Sequence, residues 1–110
     1  MTQPSQHTAT GEATRAALID EATAATGILP PHDRLVDLAA QLRTELRDLI
    51  PVVQARADGM NRGTTDWYSC DRALAGARET LEGDLGVGLR SAALHVASLG
   101  RFLGVLDAYR

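Results

Sequence analysis

Apolar positions in this chain recur at steps of three and four, the spacing that lines one face of an α-helix. No alternating run bounded by hairpin signals accompanies them. The clearest stripe is Leu35, Leu38, Leu42, Leu46, Leu49 and Val53, with Arg34, Asp37, Arg43, Arg47 and Asp48 largely off it. This predicts a long second helix that opens at Pro31, whose missing N–H suits a first turn, with Asp33 near the positive end of the dipole. Pro51 interrupts the stripe and predicts a kink or break near Ile50, at a cost of about 3 kcal/mol that packing on both sides offsets. Before it, residues 12–26 read as an Ala-rich helix with a small apolar face of Leu18, Ile19, Ala22 and Ala25. After it, Trp67, Cys70, Leu74, Ala77 and Leu81 make the narrow seam of a third helix. A fourth begins near Gly88 or Leu89 and runs to the end.

The connections carry breaker signals. Residues 1–11 have no apolar period and read as a disordered lead-in. Gly27 reads as a left-handed helix stop, Ile28 and Leu29 as an apolar clasp after it, and Pro30–Pro31 as a break. Asp58, Gly59, Asn61 and Gly63 form a turn cluster, with Thr64, Thr65 or Asp66 able to cap the third helix, and Gly83, Gly86 and Gly88 loosen the chain before the fourth. The expectation is a single all-α domain over residues 12–110: a four-helix, mostly antiparallel bundle with a Pro-kinked second helix and a central C-terminal helix.

That last helix is apolar on almost every side. At 100° per residue, Leu89, Ala92, Val96, Leu99, Leu103 and Leu106 form one seam, and Ala93, Ala97, Gly100 and Gly104 form a second seam of small residues beside it. Small residues let two backbones approach closely, and two glycines in a helix cost about 1 kcal/mol each, so a close contact is expected to compensate. Three short helices leave little to surround such a circumference. A second copy is therefore expected to cover it, in a homodimer whose interface candidates are Leu89, Ala93, Val96, Ala97, Gly100, Leu103 and Gly104. Arg90, His95 and Arg101 break any membrane-spanning run, so no membrane is expected.

Composition sharpens this picture. With 110 residues, 45% of them hydrophobic and 4% aromatic, the core must be built from Leu, Val and Ala. A domain of this size buries only about 60 to 65% of its unfolded surface, so it gains from a partner. All 11 basic residues are Arg, the mark of a GC-rich genome before it is a mark of phosphate recognition. The formal charge is −3, and it is uneven: residues 64–87 hold five acids and two arginines, whereas residues 88–110 hold three arginines and Asp107. Such halves suit helices that lie together, whereas nucleic acid would want one strong basic face. Cys70 stands alone, which removes an internal disulfide or thiolate cluster, and the first residues lack the charge and apolar run of a secretory signal. A cytoplasmic location is expected.

Candidate chemistry is sparse. His7 falls in the lead-in, His32 in a first helical turn, and His95 beside the core seam, where a satisfied structural histidine outweighs a general base. Cys70 shares the Trp67 and Leu74 seam and reads as packed and inert. Asp33 with Asp37 and Glu79 with Glu82 lack the histidine partner of a metal motif and read as solvated faces. The glycines at 83, 86 and 88 follow a helix and lack the lysine of a phosphate loop. No catalytic residue, metal site or cofactor is expected. One constellation supports a ligand: Trp67 and Tyr68 could meet Phe102 and Tyr109 of an antiparallel fourth helix, enclosing a small apolar molecule with His95 or Arg101 orienting its polar group.

The runs LPPHDRLVDLAAQLRTELRDLIPVV, WYSCDRALAGARETL and GLRSAALHVASLGRFLGVLDAY resemble a small uncharacterised helical domain family of actinomycetes, streptomycete-type, labelled as associated with natural-product biosynthesis. The resemblance spans roughly residues 15–110, and its residues are nearly all structural, including Leu29, Pro30, Pro31, Leu42, Leu49, Ile50, Pro51, Cys70, Ala77, Leu81, Leu99 and Leu103. It implies a metabolic neighbourhood and no activity. The expected function is thus a non-enzymatic interaction or accessory module, with regulation as one form it could take and a protein partner in a biosynthetic pathway. The alternatives are the aromatic-cluster ligand binder and, third, a nucleic-acid-binding regulator using Arg90 and Arg101.

Overall fold

Four helices account for the regular structure of the described residues: α1 (Pro4–Ala24), α2 (His32–Asp58), α3 (Thr65–Glu82) and α4 (Leu89–Tyr109). The computed structural model describes residues 4–86 and 88–110, and no strand occurs among them. The protein is all-α. α1 begins at Pro4, inside the stretch read from sequence as a lead-in; an Ala- and Thr-rich segment without an apolar period gives periodicity nothing to register.

The helix ends follow their local chemistry. Pro31 takes the position just outside α2, with extended φ −58° and ψ 151°, so the helix starts at His32 rather than at the proline. The carbonyl of Pro31 accepts from the Leu35 amide at 3.1 Å. Thr64 caps α3, its hydroxyl oxygen accepting from the Trp67 amide at 3.2 Å. Gly27 is not left-handed. Positive φ among the described residues is confined to Gly63 and Gly86, and α1 ends instead in tightened turns, the Gly27 and Ile28 amides donating to the Ala24 carbonyl at 3.0 and 3.3 Å. α2 passes through Pro51 as one continuous helix, so the break that the proline allowed does not occur.

The core is a single apolar cluster. Every member of the predicted α2 stripe is buried, as are Cys70, Leu74 and Ala77 of α3, Leu18 and Ala22 of α1, and Ala25 just after it. α2 and α4 each pack against all three other helices, whereas α1 and α3 lie on opposite sides of that central pair and do not touch. Polar contacts pin the edges. The Arg15 guanidinium donates to Asp107 of α4 at 3.0 Å and reaches Glu45 of α2 at 3.5 Å, tying three helices together. Arg34 forms a two-pronged ion pair with Glu21, which joins the start of α2 to the end of α1. On the opposite side, Arg78 of α3 donates to the Gln54 side chain of α2 at 2.7 Å.

Candidate functional site

The main seam of α4, and Ala93 and Gly100 of its small-residue seam, are covered within the chain. Ala92, Ala93, Val96, Leu99, Gly100, Leu103 and Leu106 are all buried, whereas Leu89, Leu94 and Val105 are exposed, so three helices cover more of this circumference than expected but not all of it. The seam of small residues is the reason. A Cβ on Gly100 would sit 2.5 Å from the Cβ of Ala22, and one on Gly104 would meet Ile19 at 3.9 Å, so the two glycines admit α1 rather than a second subunit. Of the residues read as interface candidates, Ala93, Val96, Gly100 and Leu103 belong to the internal core, Ala97 and Gly104 are half-buried, and Leu89 is exposed.

The exposed apolar surface lies elsewhere. Past the tightened end of α1, Pro30 and Pro31 offer no amide donors and Pro30 biases Leu29 to extended backbone, so the helix is not resumed and Ile28 and Leu29 stay on the surface. Ile28 is 88% exposed and Leu29 46%, in place of the clasp expected of them. Between this loop and the first half of α4 runs a cleft of about 220 Å³ lined by Thr26, Gly27, Leu29, Arg90, Ala93 and Leu94. Leu94, which points away from both α4 seams, is 55% exposed on its far wall. On the other side of the loop Ile28, Pro30 and Pro31 flank a wider apolar hollow of about 620 Å³ that ends at Ala24, Ala25 and Glu21. Glu21 belongs to the ion pair with Arg34, whose hydrogen bonds hold its carboxyl below the ordinary range and keep this rim charged. A protruding ridge therefore stands directly beside a recess.

Residues 9–110 match the family model described as a family of unknown function, DUF6415. The chain belongs to that family. No curated protein and no solved structure matches it.

In this DUF6415 chain the proposed aromatic cluster is spread along α3 and α4. Trp67 and Tyr68 pack edge to face, ring centres 5.0 Å apart, with Arg62 over the Trp67 ring at 5.9 Å. The Phe102 ring instead covers Gly76, where a Cβ would lie 2.4 Å from it, and Arg101 sits over that ring at 5.2 Å. Tyr109 packs half-buried against the core. His95 lies against Gly83, 3.2 Å from where its Cβ would be. Gly83 follows Trp67 by sixteen residues of α3, about 24 Å of helical rise, so His95 and the tryptophan do not share one small pocket.

The neighbourhood of His95 is itself a polar node. Arg43 of α2 donates to the Gly83 carbonyl at 2.7 Å and approaches His95 Nε2 at 3.0 Å. A guanidinium can only donate, so Nε2 accepts and the proton sits on Nδ1. Burial lowers the affinity of His95 for a second proton, the Arg43 charge lowers it further, and Asp84 opposes them. Cys70 is fully buried and burial pushes its thiol pKa up, leaving it protonated and without the thiolate that reactivity requires. Among the described residues no group of His, Cys, Asp and Glu side chains is arranged to hold a metal ion, and no helix is long and apolar enough to cross a membrane.

Proposed function

We propose that this DUF6415 member is a non-enzymatic, cytoplasmic helical accessory module that pairs reversibly with a second copy of itself, through the face around Ile28 rather than through the buried seams of α4. The observation that carries this reading is Ile28, 88% exposed in the bend that follows α1 and flanked by the recess that Leu29 and Leu94 line. A two-fold interface needs one patch that complements itself, and a knob beside a hole satisfies that requirement: each Ile28 enters the other copy's cleft. The exposed apolar residues are few, so the pairing is expected to depend on concentration.

In the bundle that presents this face we read the helices as mostly antiparallel. Support comes from the paired residues: Arg15, Ile19 and Ala22 of α1 meet Asp107, Gly104 and Gly100 of α4, and Gly76 of α3 and Gly83 at its C-cap meet Phe102 and His95, numbers rising on one helix as they fall on the other. A bend of α2 at Pro51 is supported by the proline's position inside a continuous helix, where its ring crowds the carbonyl of Arg47. A role beside the enzymes of actinomycete natural-product metabolism is supported by the family resemblance and by a chain whose 11 basic residues are all Arg.

The test is sedimentation equilibrium across a concentration series. The expected result is a mass that rises from one chain towards two, with Ile28→Asp holding it at one chain while helical circular dichroism is unchanged. Single-chain mass for the wild type throughout, or a dimer that tolerates Ile28→Asp, overturns the reading.

A further inference from the structure

A second feature, lined by different residues from the association face, lies where α2 passes the α3–α4 connection. A cleft of about 380 Å³ is walled there by Val36, Ala39, Ala40 and Leu85, and both Arg43 and Arg47 line it, one helical turn apart on α2. The charge of Arg43 is not neutralised. Its hydrogen bonds go to neutral acceptors, the Gly83 carbonyl and His95, and its Nε is buried without a partner. Among the described residues no carboxylate pairs with Arg43 or with Arg47. Asp84 borders the adjoining hollow with Arg43 and Leu85 but forms an ion pair with neither arginine. That buried Nε is closed to a ligand, but a half-buried guanidinium whose charge no carboxylate offsets is costly, and charge-assisted bonds from the cleft-lining part of the group to an anion are the strongest remedy.

The anion's character follows from the remaining walls. Val36 is 43% exposed in the cleft and Leu85 packs only partly on the core, so apolar surface lies open beside the two cations. Thr44 also lines the cleft, but its hydroxyl donates to the Ala40 carbonyl at 3.1 Å and offers no donor to an anion. We propose that this cleft binds a small carboxylic acid with an apolar tail, the carboxylate between Arg43 and Arg47 and the tail along Val36 and Leu85. The neighbouring imidazole is neutral and already occupied by Arg43, so it takes no part in holding the ligand and serves as a reporter of it.

The experiment is a titration of the full chain at pH 7.5 with hexanoate, hexan-1-ol and inorganic phosphate, followed by NMR at the His95 imidazole and the Leu85 amide. The expected result is a saturable shift for hexanoate with Kd of the order of 1 mM, consistent with a ligand of this size. Hexan-1-ol and phosphate are each expected to bind about tenfold more weakly or not at all, since each lacks one of the two contributions. Arg47 is exposed and makes no contact that the fold needs, so Arg47→Gln is expected to keep the wild-type spectrum while weakening hexanoate about tenfold. Absence of a saturable hexanoate shift, equal binding of hexan-1-ol or of phosphate, or hexanoate binding unaffected by Arg47→Gln overturns the proposal.

Discussion

Gly100 of α4 and Ala22 of α1 meet so closely that a methyl group on the glycine would lie 2.5 Å from the alanine Cβ. This contact brings α1 against the small-residue seam of α4 and uses up, inside one chain, the surface that a second subunit would otherwise need. Gly104, one turn on, is looser, with Ile19 at 3.9 Å.

The pair of glycines therefore separates sterics from helix propensity. Gly100→Ala is expected to destabilise the protein by about 1–3 kcal/mol through overpacking, more than the gain of about 1 kcal/mol from replacing a helical glycine. Gly104→Ala has ordinary van der Waals space and is expected to be neutral or stabilising by up to about 1 kcal/mol. Urea denaturation of both variants checks the signs, and a reversed order would contradict the close α1–α4 approach.

Leu103 is fully buried in the cluster that joins the helices. Placing a carboxylate there costs several kcal/mol, a large part of the about 5–15 kcal/mol that holds a domain together. Leu103→Asp is accordingly expected to lose its cooperative thermal transition at every protein concentration, seen by far-ultraviolet circular dichroism. A folded, soluble monomer would mean that Leu103 faces another subunit.

Stability should also fall on mild acidification. The folded state holds His95 below its ordinary pKa of 6.5, so the unfolded chain takes up the proton first. The contribution is fully present above about pH 6.5 and is lost as pH falls through the unfolded and then the folded value, where a charged imidazole would face Arg43. The Glu21 carboxyl, held below its ordinary 4.5 by Arg34, adds a loss only in more acidic solution. His95→Gln, which can still accept from Arg43, is expected to flatten the decline between about pH 7 and 5 in chemical denaturation, while an unchanged slope would remove His95 as its source.

The helices and most of the core were legible in the sequence because burial repeats along a helix. The stripe from Leu35 to Val53 and the α4 seam from Ala92 to Leu106 are buried as their spacing predicts. Missing was the identity of the surface that covers the small-residue seam. Ala22 and Gly100 are both recognisable as small, but that one meets the other depends on how far α1 slides along α4, which no local pattern encodes. The same limit explains Ile28: a breaker followed by two apolar residues is compatible with a clasp or a ridge, and only the direction in which Pro30 and Pro31 carry the chain decides between them. Leu94 carried a readable signal, since it lies off both seams, and it lines the exposed cleft.

The most direct test of internal coverage is amide hydrogen exchange of α4 in the Ile28→Asp variant, at a concentration where sedimentation finds single chains. The account predicts that amides from Val96 to Leu106 exchange only through global unfolding, as slowly as the α2 stripe beside them. Rapid exchange along that stretch, with α2 still protected, would contradict it.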